Sequence, residues 1–319
     1  MLTSVELCAG AGGQALGLEN AGFAHTALVE IDKHCCNTLR HNRPEWNVLE
    51  EDMRLFKERA ADYKGMDLLA GGLPCPPFSV AGKQLGEQDE RNLFNDAIDI
   101  VDAARPRAVM IENVRGFLGA VFHDYRERLK SQLEKLGYKT DWRLLNASDY
   151  GVPQLRPRVV IVAVQKERAD FFDWPEPNPH NPPTVGDTLH DLMAAGGWRG
   201  ASDWAAKADE IAPTIVGGSK KHGGPDLGPT RARAAWATLG VEGRTIAVEA
   251  PGPFYKGLPR LTVPMVARIQ GFPDDWHFTG AKTNAYRQVG NAFPPPVAQA
   301  VSTQIAKSLR KRVLRAVSA

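Results

Sequence analysis

The run Leu7-Cys8-Ala9-Gly10-Ala11-Gly12-Gly13 decides the fold. A short apolar stretch, residues 5–8, predicts a strand ahead of it, and residues 14–21 predict a helix behind it. Glycines at such a junction permit a tight turn and let the backbone approach a ligand at the helix N-terminus. Strand, glycine turn and helix in that order open a βαβ unit. The loop alone does not choose its ligand, because nucleotides and flavins use similar turns.

Outward from the loop the same alternation continues. Further strands are predicted over residues 26–30, 67–70, 108–112 and 158–164, and helices over 33–43, 92–104 and 125–136. Alternation of this kind predicts an α/β fold with a mostly parallel sheet covered on both faces. From Phe171 the character changes. Residues 174–183 hold five prolines in ten positions, which reads as an extended linker. The stretch to about residue 258 is rich in Gly, Pro, Trp and Arg with weak periodicity, and predicts a small, loop-rich second domain. Residues 297–314 return to an amphipathic helix with Val297, Val301, Ile305 and Leu309 on one stripe.

Composition sets the outer bounds. With 319 residues, 43% hydrophobic and 24% charged, the chain suits a soluble globular protein of one large or two ordinary domains. No apolar segment approaches the roughly 20 residues that span a bilayer. The N-terminus lacks a basic start and long apolar core, so a cytoplasmic, non-membrane protein is expected. Cys8, Cys35, Cys36 and Cys75 form no C-x-x-C pair, and neither a disulfide framework nor a bound metal is expected. Net charge is only +2, yet Lys220, Lys221, Arg231 and Arg233 lie in one region. Local contacts rather than global charge govern phosphate binding, so such a patch can still meet nucleic acid. A second basic cluster at 307–315 also reads as a solvated helix face.

Several residues carry chemistry. The second strand ends in Val29-Glu30-Ile31-Asp32, which puts a carboxylate where a ribose would lie. Asp52, after Val48-Leu49, is placed to accept from an adenine amino group. No P-loop lysine is present, so a nucleoside cofactor is favoured over a phosphate-bearing one; each acid also reads as a helix cap or surface group. In Gly71-Gly72-Leu73-Pro74-Cys75-Pro76-Pro77-Phe78-Ser79, prolines stiffen the segment around one thiol. Cys75 reads there as a nucleophile or as a buried thiol at a turn. Val109-Met110-Ile111-Glu112-Asn113-Val114 delivers a carboxylate at the C-terminal end of a buried strand, the edge where open α/β sheets bind ligands. Arg156 and Arg158 point the same way if extended, and suit carboxylate positioning or a surface ion pair. Tyr286-Arg287-Gln288-Val289-Gly290-Asn291-Ala292-Phe293-Pro294-Pro295-Pro296 leads into the last helix, and its composition does not say what it touches.

Taken in order, the glycine loop, Pro74-Cys75, Glu112-Asn113-Val114, Gln154-x-Arg156-x-Arg158 and Arg287-Gln288-x-Gly290-Asn291 closely resemble the DNA (cytosine-5)-methyltransferases of bacterial and phage type. The match covers residues 3–164 and about 259–305, and five blocks in family order are highly specific. The resemblance implies a Rossmann-like S-adenosylmethionine-dependent catalytic domain, residues 1–170 with 280–319 returning to it, and a target-recognition domain over 171–279. It implies S-adenosylmethionine at Cys8, Ala9, Gly10, Gly12, Gly13, Glu30, Ile31, Asp52, Met53, Pro74, Leu93 and Asn291. Catalysis would fall to Cys75, Glu112, Arg156 and Arg158: the thiolate adds to C6 of a flipped cytosine, Glu112 binds N3 and the exocyclic amine, and Arg158 anchors Glu112 and the base with Arg156 close by. Double-stranded DNA would meet Ser79, Lys83, Gln84 and Arg91 in a closing loop, and Thr214, Lys220, Lys221, Arg231 and Arg233 in the recognition domain. A monomer is expected, acting either beside a separate cognate restriction endonuclease or as an orphan modification enzyme. A tRNA cytosine methyltransferase of the same fold and an inactive DNA-binding relative are the alternatives. Pro76 departs from the family's glutamine after the catalytic cysteine, which puts one contact around the flipped nucleotide in doubt.

Overall fold

Seven strands form one sheet, in a computed structural model that describes residues 1–74, 93–178, 180–218 and 224–311. The strands are β1 (Leu2–Leu7), β2 (Phe23–Glu30), β3 (Val48–Glu50), β4 (Leu68–Gly72), β5 (Ala108–Val114), β6 (Tyr138–Asn146) and β7 (Pro157–Gln165). The helices are α1 (Gly13–Asn20), α2 (Lys33–Asn42), α3 (Met53–Lys57), α4 (Phe94–Ala104), α5 (His123–Lys135), α6 (Val185–Ala194), α7 (Ala201–Lys207), α8 (Thr230–Thr238), α9 (Val263–Ile269), α10 (Lys282–Asn291) and α11 (Pro295–Arg310).

The strand order is β3-β2-β1-β4-β5-β7-β6. From β1 the chain winds outward through β2 and β3, then returns to lay β4 and β5 on the other side. The reversal falls between β1 and β4, where open α/β sheets form their ligand crevice. β1 to β5 pair in parallel, as the alternation predicted, but β7 runs antiparallel to both β5 and β6. The sheet is therefore mixed.

β6 went unpredicted. Its Lys139, Asp141 and Arg143 alternate with Tyr138, Thr140 and Trp142, because an edge strand buries one face only. The proline-rich stretch is extended as expected, but it lies against this edge. Trp174 donates to Asp141 at 2.7 Å, and the Tyr150 hydroxyl donates to the Pro175 carbonyl at 3.2 Å.

Three apolar clusters hold the layers together. One face of the sheet packs Val5, Leu7 and Ile111 against Phe94 of α4 and Leu129 of α5. The opposite face packs Met110 and Val160 against Leu18 of α1 and the stripe Val297, Val301, Ile305 and Leu309 of α11. The third joins Leu28 of β2 and Leu39 of α2 to Val185, Trp236, Ile269 and Tyr286. The segment expected to be loop-rich thus contributes three helices, α6 to α8, and no strand among its described residues. Thr184 and Asp187 start α6 with a capping box. Among the described residues, no helix is long and apolar enough to cross a membrane.

Candidate active site

Where β1 ends, the chain turns through Cys8, Gly10 and Gly12 at φ of +53°, +55° and +90°. Cys8 is a strained choice at such a φ, since its Cβ crowds the backbone. Burial and the nearby Glu30 push its thiol well above the usual range, so Cys8 stays protonated and unreactive. Gly13 is required by contact: a Cβ there would lie 2.2 Å from the Phe293 carbonyl oxygen. The segment ahead of α11 closes directly over the glycine loop.

Glu30, at the end of β2, accepts from the Gly10 N–H at 2.7 Å through Oε2 and from the Asp32 N–H at 2.7 Å through Oε1. Burial raises its carboxyl above the ordinary value, and these backbone donors oppose the rise. Ile31 beside it is 66% exposed, an apolar plane at the surface. Asp52 caps α3 by accepting from the Arg54 N–H. Met53 is buried, with its sulfur 3.7 Å from that of Cys8.

On the other side of the crevice, β4 and β5 align Gly72 with Glu112. Glu112 is buried, and Arg158 of β7 reaches it with Nε 2.8 Å from Oε1. Burial lifts the Glu112 carboxyl above its ordinary value despite the charges of Arg158 and Arg156. A shift in that direction favours the protonated acid, the form that can give a proton. Asn113 is fully buried, and its Oδ1 accepts from the Val114 N–H.

Arg156 goes elsewhere. Only 1% exposed, it donates to the carbonyls of Ile215, Gly290 and Ala292 at 2.7 to 2.8 Å. Its guanidinium clasps the middle region to the segment between α10 and α11.

These elements enclose a cavity of about 560 Å³. Cys8, Ala9, Gly10, Gly13 and Asn291 line it together with Glu112. Gly12, Glu30, Ile31, Asp52, Met53, Pro74 and Leu93 are not part of that lining; Gly12 faces Trp276 and Leu39, and Leu93 lies in the core. The wall also includes Glu6, Gln14, His34 and Asn284, which sequence reasoning passed over. Glu6 had a signal, a lone acid inside an apolar strand; Asn284 had none, since its bond to His34 spans 250 positions. In the middle region Thr214 donates to the Leu155 carbonyl, Arg233 donates to Thr230 Oγ1, and Arg231 stands exposed on α8. Cys75, Pro76, Ser79, Lys83, Gln84, Arg91, Lys220 and Lys221 lie outside the described residues.

Known proteins resemble this chain. Type II methyltransferase M.NgoMIV of Neisseria gonorrhoeae is 54% identical over 316 residues, which covers 97% of this chain and 98% of that one. Type II methyltransferase M.NaeI of Lentzea aerocolonigenes is 55% identical over 312 residues, or 97% of this chain and 75% of that one. The crystal structure of the S. pombe Dnmt2 methyltransferase superposes with a TM-score of 0.65 at 16% identity, covering 98% of this chain and all of that one, which shows the shared fold. The family model for C-5 cytosine-specific DNA methylases matches residues 2–307. With that match over nearly its whole length, the chain belongs to the C-5 cytosine-specific DNA methylases and is a DNA (cytosine-5-)-methyltransferase.

Proposed function

We propose that the cavity takes S-adenosylmethionine, the methyl donor of this family, together with one cytosine swung out of duplex DNA. One observation carries the reading: buried Glu112, paired with Arg158, lines the cavity that the glycine loop and Asn291 also line. The residues present fit the cofactor. Gly10 lines the cavity with open space where a Cβ would stand, Glu30 sits at the strand end with its carboxyl tied to the loop, and exposed Ile31 offers an apolar plane for a purine. A volume of about 560 Å³ is also that of an ordinary small-molecule site. When bound, S-adenosylmethionine supplies an electrophilic methyl group on a sulfonium.

The chain's own residues do the rest. Cys75, as thiolate, forms a bond to C6 of the cytosine, and the ring electrons move to make C5 nucleophilic. Glu112 gives its proton to N3 as this happens and accepts from the exocyclic amine; Arg158 holds the carboxyl in place. After C5 is methylated, the C5 proton passes to a water molecule, the C6–S bond breaks with its electron pair returning to the Cys75 sulfur, and N3 returns its proton to Glu112. Arg156 acts at one remove, by fixing the segments that carry Asn291 and Ile215.

Residues 171–279 would read the DNA, with Thr214, Lys220, Lys221, Arg231 and Arg233 as contacts, while Ser79, Lys83, Gln84 and Arg91 close over the flipped base. Because relatives of more than half identity are type II methyltransferases, we assign the chain to modification of one short DNA sequence, beside a separate cognate endonuclease. All proposed groups come from one chain, so a monomer suffices, and the cytoplasm supplies its DNA. Incubation with methyl-labelled S-adenosylmethionine and either duplex DNA or tRNA tests this. Label in DNA is expected; label confined to tRNA overturns it.

A further inference from the structure

Two buried side chains on the cavity wall have no place in the reaction just outlined. Glu6, on β1, is 1% exposed, and its Oε2 has no hydrogen-bond partner among the described residues. Gln14, in the first turn of α1, is 3% exposed and leaves both Oε1 and Nε2 without partners there. An orphaned buried polar atom is costly, so several in one place call for a water or a ligand.

Register shows where they point. β1 and β4 align Glu6 with Ala70, and β4 and β5 align Gly72 with Glu112. Residues two apart on a strand share a face, so Glu6, Ala70, Gly72 and Glu112 lie on one side of the sheet. Ala70 and Gly72 leave a trough between the two acids. A Cβ at Gly72 would sit 3.7 Å from Glu112 Oε2 and 3.9 Å from Gln14 Oε1, so both side chains flank one spot. Two strand spacings, about 10 Å, separate the strands carrying the acids, which leaves room for one or two waters between inward-reaching side chains.

We propose that Glu6 and Gln14 are positioning residues that hold ordered water behind Glu112, and that this water solvates the carboxylate formed when Glu112 passes its proton to the base. The proposal rests on the reading of Glu112 given above. No atom is left over: the proton moves from Glu112 to N3 as the C6–S bond forms, and it returns on elimination. Glu6 suits the task, because burial and Glu30 push its carboxyl well above its ordinary value, which favours the O–H donor form. Gln14 adds an N–H donor. The other charged groups about Glu112 are Arg158 of β7 and Arg156 just before it; β4 presents only Gly72. Across the cavity stand Asp32, His34 and Arg287.

Single-turnover methylation across pH, with the full-length protein and duplex DNA, tests the proposal. Gln14→Leu and Glu6→Leu remove the water's partners and deepen the desolvation of Glu112. The apparent pKa of the limb governed by Glu112 is expected to rise by about one unit, and kcat to fall about tenfold. The KM for S-adenosylmethionine should stay within about twofold. Glu6→Gln keeps a donor and should recover most of what Glu6→Leu loses. An unmoved pH profile, or a raised KM with kcat intact, overturns the proposal, the latter by assigning the pair to the cofactor. Should the leucine variants not fold, a high-resolution crystal structure of the wild type decides: water bonded to Glu6 and Gln14 supports the proposal, and a dry trough overturns it. Glu112→Gln separates the two ideas. If it retains the wild-type rate, the reading of Glu112 is what fails. If it is inactive while Gln14→Leu keeps the wild-type profile, only the trough fails.

Discussion

Arg156 and Arg158 stand two residues apart on one extended segment, and their neighbours give them different work. Arg158 meets Glu112, whereas Arg156 clasps three carbonyls lying 59 to 136 positions away. Arg156→Ala leaves those carbonyls without donors in a buried site, so unfolding by urea should show a loss of about 3 kcal/mol or more. Arg158→Ala should fold far better, yet lose methyl transfer by about 100-fold, since a group aimed at the reacting charge is gone. Both arginines were legible as chemistry-bearing, but their division of labour was not, because Arg156's partners come from distant segments. Glu6 carries a pH signature of its own. Its folded carboxyl titrates well above its unfolded value of 4.5, so the native state holds a proton that the unfolded chain releases. That stability is complete below the unfolded value and is lost as pH rises towards the folded one. Glu6→Gln, always neutral, should match wild type at about pH 4 and exceed it above about pH 5, gaining at most about 1.4 kcal/mol per pH unit. Urea midpoints across pH check this; a constant difference contradicts it.

At the scale of elements, what was legible followed burial. β4, β5 and β7 carry nearly continuous apolar runs because both faces of the sheet are covered, β1 and β2 carry shorter ones, and each was predicted to within a few residues. β6 alternates charge with bulk at an open edge, and α6 to α8 are short helices among turns, so periodicity missed them. The contact between α1 and α11 was invisible for another reason: it depends on what glycine lacks. A Cβ at Gly17 would meet the Ala298 Cβ at 2.5 Å and the Pro295 carbonyl oxygen at 2.6 Å. Gly17→Ala therefore forces two helices apart even though alanine favours helix, and should cost about 1–3 kcal/mol by thermal unfolding. A neutral or stabilising result would mean that the helices do not pack so closely.

For the whole molecule, the third apolar cluster matters most. It runs from Leu28 and Leu39 beside the sheet through Trp236 of the middle region to Tyr286 of α10. The sequence marks a change of composition at Phe171, but the two regions share this core. Unfolding followed by tryptophan fluorescence and by far-ultraviolet circular dichroism should therefore give one coincident transition; two separated ones would show independent domains. The same continuity ties the middle region to the elements whose Glu112 and glycine loop line one cavity. Cys75 was the most legible feature of the site and lies outside the described residues, so its role needs the most direct measurement. Bisulfite sequencing of DNA from cells that express the wild type, Cys75→Ser or Glu112→Gln supplies it, whatever short sequence the enzyme marks. Complete 5-methylcytosine at one short sequence is expected with the wild type and none with either variant. Methylation by Cys75→Ser or Glu112→Gln at the wild-type level contradicts the covalent, carboxyl-assisted mechanism.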